Sequence, residues 1–286
     1  MLAEGFFDSM TTQLLEGLSE TVRNALAEDI GSGDITAELI PAEKTATARI
    51  LSRDQGILCG MPWAIEVFRQ IDPGVTLQWH KHDGDSINNN DVILTAHGNA
   101  RSLLTAERSV LNFLQTLSSV ASSAQKIAER VKHTQVKILD TRKTIPGLRL
   151  AQKYAVVTGG CFNHRIGLYD AYLIKENHIN ACGSIANAIA TARTLHQDKP
   201  VEVEVETIEQ LNQALAAQAD IVMLDNFSLP MLQEAVAIND GKAKLEASGG
   251  YDIDSVIAVA ETGVDYISIG SITKHIQATD FSMLFD

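Results

Sequence analysis

Apolar residues at Leu14, Leu18, Val22 and Leu26 fall on one helical face and predict a helix over residues 14–27, followed by a turn-rich loop over 28–36. Three β-branched or alternating stretches then predict strands at 45–52, 75–80 and 92–97, with a helix at 62–70 between the first two. A turn-rich segment, 82–90, separates the second and third strands. The first hundred residues thus read as a small α/β unit of few strands.

A longer pattern follows. Val110, Leu114, Leu117, Ala121, Ala124, Ala128 and Val131 recur at alternating intervals of four and three, one apolar stripe along a long helix. Thr105 is the expected N-cap. That placement puts Arg108 in the first turn, where a cation opposes the helix dipole. It reads either as a solvated arginine or as one that reaches a ligand or a second subunit.

From residue 136 the period changes again. Short apolar runs at 136–140, 171–175, 201–206, 221–224, 244–247 and 266–269 alternate with helical segments. Ser184, Thr207 with Gln210, Ser228 with Pro230, and Asp252 mark the helix starts. Strand spacings of this kind fit βα units and a parallel sheet. Six units are fewer than the eight of a complete (β/α)₈ barrel, so the pattern predicts an incomplete barrel. An open doubly wound sheet is the alternative, although no G-x-G-x-x-G follows the first strand. The fold class is therefore α/β.

Composition narrows the function. The 286 residues carry 23 Lys+Arg against 36 Asp+Glu, a net charge of −13, which disfavours nucleic-acid and anionic-membrane partners. Cys59, Cys161 and Cys182 have neither disulfide nor metal-motif spacing, and a reducing cytoplasm is the expected compartment. Residues 1–10 lack the pattern of a signal peptide, and no apolar run is long enough to span a membrane.

Within this acidic chain, residues 141–169 hold five Lys/Arg (Arg142, Lys143, Arg149, Lys153 and Arg165), His164 and no Asp or Glu. An anion is expected here, because charges beyond a Debye length of about 8 Å are largely screened from a bound ligand. Polar residues also sit at every predicted strand end: 140–143, 175–178, 204–206, 225–226, 248–250 and 270–271. In a parallel barrel these ends converge on one mouth. The loops Ser248-Gly249-Gly250 and Gly270-Ser271 could hold a phosphate through backbone N–H groups. Alternation places Glu202, Glu204 and Glu206 on one face of their strand, and Asp225 ends the next strand. A Glu and an Asp on neighbouring strand ends suit Mg²⁺ or ribose hydroxyls, or else a structural ion pair.

These segments resemble the quinolinate phosphoribosyltransferases. The resemblance is carried by EDIGSGDIT (28–36), AERSVLNF (106–113), TRKTIPGLR (141–149), GGCFNHR (159–165), GLYDAYLIKENH (167–178), VEVE (203–206), MLDN (223–226), EASGG (246–250) and GVDYISIG (263–270). It implies an N-terminal α/β sandwich domain over 1–115, with 275–286 packing back on it, and an incomplete barrel over 116–274. It implies a homodimer whose active sites are shared across the interface. It also implies transfer of phosphoribose from phosphoribosyl pyrophosphate to quinolinate with Mg²⁺, giving nicotinate mononucleotide, pyrophosphate and CO₂ in NAD synthesis.

In matching positions Arg142, His164, Arg165 and Lys175 would contact the quinolinate carboxylates, joined by Arg108 of the neighbouring subunit. Lys143 would contact phosphoribosyl pyrophosphate, Glu204 and Asp225 would face its ribose and the metal, and Ser248, Gly249, Gly250, Gly270 and Ser271 would hold the 5′-phosphate. Arg149, Lys153 and His178 are open between ligand contact and support. Two other readings are a related pyrophosphorylase acting on another heterocycle, or on nicotinate without decarboxylation, and a barrel that binds a phosphosugar without catalysis.

Overall fold

The computed structural model describes residues 11–285, so the signal-peptide reading at 1–10 lies outside the described residues. In chain order the elements are α1 (Thr11–Leu14), α2 (Leu18–Ile30), β1 (Thr45–Ser52), β2 (Gly56–Ile57), α3 (Met61–Ile71), β3 (Thr76–Trp79), β4 (Ser86–Ile87), β5 (Val92–Asn99) and α4 (Ala100–Val131). There follow β6 (Lys137–Leu139), α5 (Arg149–Thr158), β7 (Tyr172–Ile174), α6 (Glu176–Cys182), α7 (Ile185–Leu195), β8 (Val201–Val205) and α8 (Ile208–Ala216). The chain ends with β9 (Ile221–Asp225), α9 (Leu229–Asn239), β10 (Lys244–Ser248), α10 (Val256–Ala260), β11 (Tyr266–Ser268), α11 (Ser271–Lys274) and β12 (Phe281–Phe285).

The chain divides into two compact units, one holding Thr11–Gln125, Ile145–Gly160 and the residues from His275 on, the other Lys126–Thr144 and Cys161–Lys274. The first is built on an antiparallel sheet of order β12-β1-β5-β3. Its central strand β1 pairs Ile50 with Met283 on one side and with Leu94 on the other, and Ile50, Leu94 and Met283 are all buried. Small residues on α4 admit a close neighbour: Ser118 and Ser122 accept the backbone N–H groups of Cys59 and Ile57 at 3.0 and 2.8 Å.

Two local expectations are corrected here, and one strand is added. The first helix is broken at Gly17, whose φ of 70° is left-handed, so α2 starts at Leu18 rather than near Leu14. The long helix begins at Ala100, where Asn99 Oδ1 accepts the N–H groups of Arg101 and Ser102. Thr105 is therefore interior, and its hydroxyl donates to Asp34 Oδ2 at 2.9 Å. Finally, β12 at the far end of the chain supplies an edge strand that local periodicity did not predict.

The second unit is a six-stranded parallel sheet of order β6-β11-β10-β9-β8-β7. From β7 to β11 spatial order follows chain order, and β6 then lies beside β11. A doubly wound sheet would reverse its order at a switch point, and this one does not. The sequence of neighbours is that of a barrel, open between β6 and β7. Near the opening, Phe162 N–H donates to Ile138 O at 2.8 Å and Asp140 N–H to Phe162 O at 3.0 Å. Val201, Val203 and Val205 of β8 are fully buried, as a strand covered on its outer face requires.

Two of the expected caps act directly, with Ser184 accepting the Asn187 amide and Thr207 the Gln210 amide. Gln210 returns a bond to the Glu206 N–H. Asp252 acts a turn before α10, accepting the N–H groups of Asp254 and Ser255.

Candidate active site

A pocket of about 370 Å³ lies in the parallel-sheet unit and is lined by side chains from the C-terminal halves of its strands and from the loops after them. Thr141, Arg142 and Lys143 follow β6, His164 and Arg165 precede β7, and Lys175 follows it. Glu204, Asp225, Ser248 and Ser268 come from β8, β9, β10 and β11.

The loop carrying His164 and Arg165 is fixed from below. Asp140, fully buried, accepts the Asn163 side-chain amide at 2.9 Å and the His164 N–H at 2.8 Å. Asp170 takes the N–H groups of Ile166 and Gly167, and Arg165 Nη1 donates to Ala171 O at 3.2 Å. Charge is then confined in a small space. Burial, with the nearby Arg142 charge adding to it, holds the Arg165 guanidinium below its ordinary pKa, and Arg142 Nε is buried with no hydrogen-bond partner. Two crowded guanidiniums and an unmet N–H are relieved by a bound anion.

On the opposite side Lys175 Nζ is paired with Glu204. Asp225 accepts the side-chain amide of Asn226, a residue held at φ 56°. Lys143 is exposed; its backbone is pinned by its N–H to Thr141 Oγ1 and by Thr273 Oγ1 to its carbonyl. Gly270 packs closely on this loop, since a Cβ there would lie 3.1 Å from Lys143 Cδ and 3.3 Å from Thr141 Oγ1.

The pocket is thus lined by Arg142, Lys143, His164, Arg165, Lys175, Glu204, Asp225 and Ser248 among the expected residues. His164 lines the pocket with its Nδ1 accepting the Arg165 N–H at 2.7 Å, while Nε2 lies 3.1 Å from Glu202 Oε2 and 3.3 Å from Glu246 Oε2. Gly249, Gly250, Gly270 and Ser271 flank the site without lining it, and Gly250 has open space around it. Arg108 is exposed on α4, and Arg149 and Lys153 lie on α5, all three in the antiparallel-sheet unit. The acid-free window therefore supplies three of its five cations to the pocket, not all of them. His178 is exposed on α6, with Nδ1 accepting the Lys175 N–H.

Glu202 and Glu246 carried no assigned role, yet with His164 they form the one group of three buried potential ligand side chains among the described residues. Burial disfavours the imidazolium, but the charges of Glu246 and Glu202 outweigh it and lift His164 to about 10. Burial and then the Glu246 charge push Glu202 up to about 7. The three groups therefore titrate together, sharing protons across the cluster. The period-two pattern Lys244, Glu246, Ser248 was the available signal, since Ser248 already pointed to the mouth.

The fold and pocket define an anion-binding α/β barrel with its site at the strand C-terminal ends. Residues 34–118 match the N-terminal domain of quinolinate phosphoribosyl transferase and residues 120–284 its C-terminal domain, so the chain belongs to the quinolinate phosphoribosyltransferase family. It is 42% identical over 268 residues to the probable carboxylating nicotinate-nucleotide pyrophosphorylase of Bacillus subtilis, covering 93% of this chain and 92% of that one. The carboxylating enzyme of Mycobacterium leprae is 38% identical, covering 92% and 95%. Among solved structures, the nicotinate-nucleotide pyrophosphorylase of Francisella tularensis superposes with a TM-score of 0.92 at 50% identity, covering 98% of each chain.

Proposed function

We propose that this protein transfers phosphoribose from phosphoribosyl pyrophosphate to quinolinate with loss of CO₂, giving nicotinate mononucleotide and pyrophosphate for NAD synthesis. The observation that carries the reading is the convergence of Arg142, Arg165, Lys143 and Lys175 on one small pocket, with the Arg142 Nε unmet. Quinolinate presents two adjacent carboxylates, and one carboxylate would not need so many cations. Each charge-assisted hydrogen bond to such a group is worth about 1.5–3 kcal/mol, enough to outweigh the repulsion of a distant acidic surface.

In this reading Arg142, Arg165 and Lys175 grip the carboxylates and so aim the ring nitrogen at the sugar. Lys143 lies with the leaving pyrophosphate. As the bond from C1′ to the pyrophosphate oxygen breaks, its electron pair leaves with pyrophosphate and positive charge develops on the ribose. Glu204 and Asp225 are carboxylates on neighbouring strands that can stabilise that charge. Their hard oxygens also suit Mg²⁺, which binds through one or two carboxylates plus substrate phosphates and neutralises developing charge. The ring nitrogen then carries positive charge, so electrons released at C2 as CO₂ departs have an acceptor. Loss of CO₂ is driven largely by that pyridinium, the pocket serving to position it. Ser248 and the loops at Gly249-Gly250 and Gly270-Ser271 face the 5′-phosphate.

The same reading takes the working form to be a cytoplasmic homodimer in which Arg108 of one copy completes the site of the other. Arg108 is exposed, and no helix among the described residues is long and apolar enough to cross a membrane. Two experiments test the proposal. Lys143→Ala should abolish phosphoribosyl transfer while leaving quinolinate affinity intact; a large loss of affinity would move Lys143 to the carboxylates. Mixing inactive Arg108→Ala and Lys143→Ala chains should restore about a quarter of wild-type activity through mixed dimers that each hold one complete site. No recovery would remove the shared site.

A further inference from the structure

The pocket is cationic at its rim, but beneath the rim sits a charge of opposite sign that the reaction as described leaves unused. Glu246 lines the pocket from β10 and is fully buried; Glu202 on β8 is 2% exposed, and His164 joins the two. With two carboxylates against one imidazole, the cluster is anionic by one as long as it holds a single extra proton, whichever group carries it. A core ion pair kept for stability would complete the hydrogen bonds of its carboxylates. Here Oε1 of Glu246 and Oε1 of Glu202 have no hydrogen-bond partner, and Glu246 Oε2 has only the shared His164 Nε2 at 3.3 Å. Such an under-solvated anion is unfavourable in the resting protein, and for the same reason its field inside the pocket is weakly screened.

Resting on the function proposed above, we infer that the His164–Glu202–Glu246 cluster is a fixed counter-charge for the heterocycle: it opposes the dianion that enters and favours the pyridinium that forms. When the ring nitrogen's lone pair makes the bond to C1′, the C1′–O bond to pyrophosphate breaks and its pair leaves with pyrophosphate. The ring thereby gains a full positive charge. Arg142, Arg165 and Lys175 favour the incoming carboxylates but disfavour this new cation, Lys143 is assigned to the pyrophosphate, and Glu204 and Asp225 are assigned to the ribose. Glu246 is the remaining acidic residue lining the pocket, and the cluster it forms with His164 and Glu202 has the sign that the product-forming step needs. An interaction that is unfavourable to the bound substrate and favourable to the forming cation accelerates the step between them. Glu202 and Glu246 act here through the field, not as ligands to the carboxylates.

The test separates this role from a structural one, because the two predict different signs. Glu246→Gln keeps the shape and removes the charge. Quinolinate affinity, measured by calorimetry without phosphoribosyl pyrophosphate, should rise several-fold, while pyrophosphate release in a single turnover should slow by about tenfold or more. Glu246→Asp, which returns the charge, should recover part of the rate. If Glu246→Gln does not fold, Glu202→Gln carries the same two measurements. Affinity and rate falling together would overturn the inference in favour of a scaffold, and so would neither changing. Absence of pyrophosphate release by the wild-type protein with quinolinate would instead remove the function on which the inference rests.

Discussion

Two glutamates buried in different units of this molecule are treated in opposite ways. Glu66, on α3 of the antiparallel-sheet unit, accepts Arg69 Nε at 2.6 Å, Arg69 Nη2 at 2.7 Å and Gln70 Nε2 at 2.7 Å. Those bonds, led by Arg69, hold its carboxyl at about 2. Glu246, on β10 of the parallel-sheet unit, meets another carboxylate and one imidazole at 3.3 Å, and its Oε1 has no hydrogen-bond partner. The first arrangement belongs to a framework in which a buried charge is fully compensated. The second belongs to a site, where compensation is withheld until a ligand or a transition state supplies it. The arginines repeat the contrast: Arg69 has its carboxylate, whereas Arg142 and Arg165 face a pocket.

If that contrast is right, mutations in the two places should move different quantities. The largest effect is expected at the site. Arg165→Ala should lower kcat/KM for quinolinate by more than about a hundredfold, roughly 3 kcal/mol, because a bidentate cation is lost from a desolvated pocket. The melting temperature should change little. Equal losses of stability and activity would break the contrast.

Glu66→Gln is the counterpart. It should cost about 1–2 kcal/mol of stability at pH 7 with kcat/KM unaltered, as read by denaturant unfolding and steady-state kinetics. Its pH dependence has a definite sign. The carboxyl titrates at about 2 when folded, against an ordinary value of 4.5. Its contribution is therefore complete above that unfolded value and is lost as pH falls toward the folded one. Wild-type protein should lose this increment on acidification, and Glu66→Gln should not. A parallel acid profile for the two proteins would show that Glu66 is not held as its hydrogen bonds imply.

Glu246→Gln should have the smallest effect on unfolding. Removing an anion whose solvation is incomplete leaves stability unchanged or raises it by about 1 kcal/mol, in contrast to Glu66→Gln. A loss as large as that at Glu66 would mean that the two glutamates are equivalent after all.

The same physics explains what was legible in the sequence. Regular periods were readable: the alternation in 201–206 and the capped helices between the parallel strands gave all six strands of the second unit. The mouth of the barrel was readable too, because strand ends of a parallel sheet must converge, and Lys143, Arg165, Lys175, Glu204, Asp225 and Ser248 do line one pocket. The family resemblance added roles to residues that patterning had only gathered.

What local patterning could not show depended on partners far away in the chain. Nothing near Phe281 announces that Met283 will pair with Ile50. His164 looks like any basic-window histidine until Glu202 and Glu246, from strands 38 and 82 positions on, meet its ring. Thr105 resembles a cap because a hydroxyl before an apolar run usually is one, and only the continuation of β5 directly into α4 displaces the start to Asn99.

The proposed activity is tested most directly by following carbon and phosphate together. Quinolinate labelled in its C2 carboxylate is mixed with phosphoribosyl pyrophosphate and Mg²⁺, and labelled CO₂, nicotinate mononucleotide and pyrophosphate are counted. One CO₂ and one nicotinate mononucleotide for each pyrophosphate released is the predicted result. Pyrophosphate released with nicotinate but not with quinolinate, or no product at all with quinolinate, would contradict it.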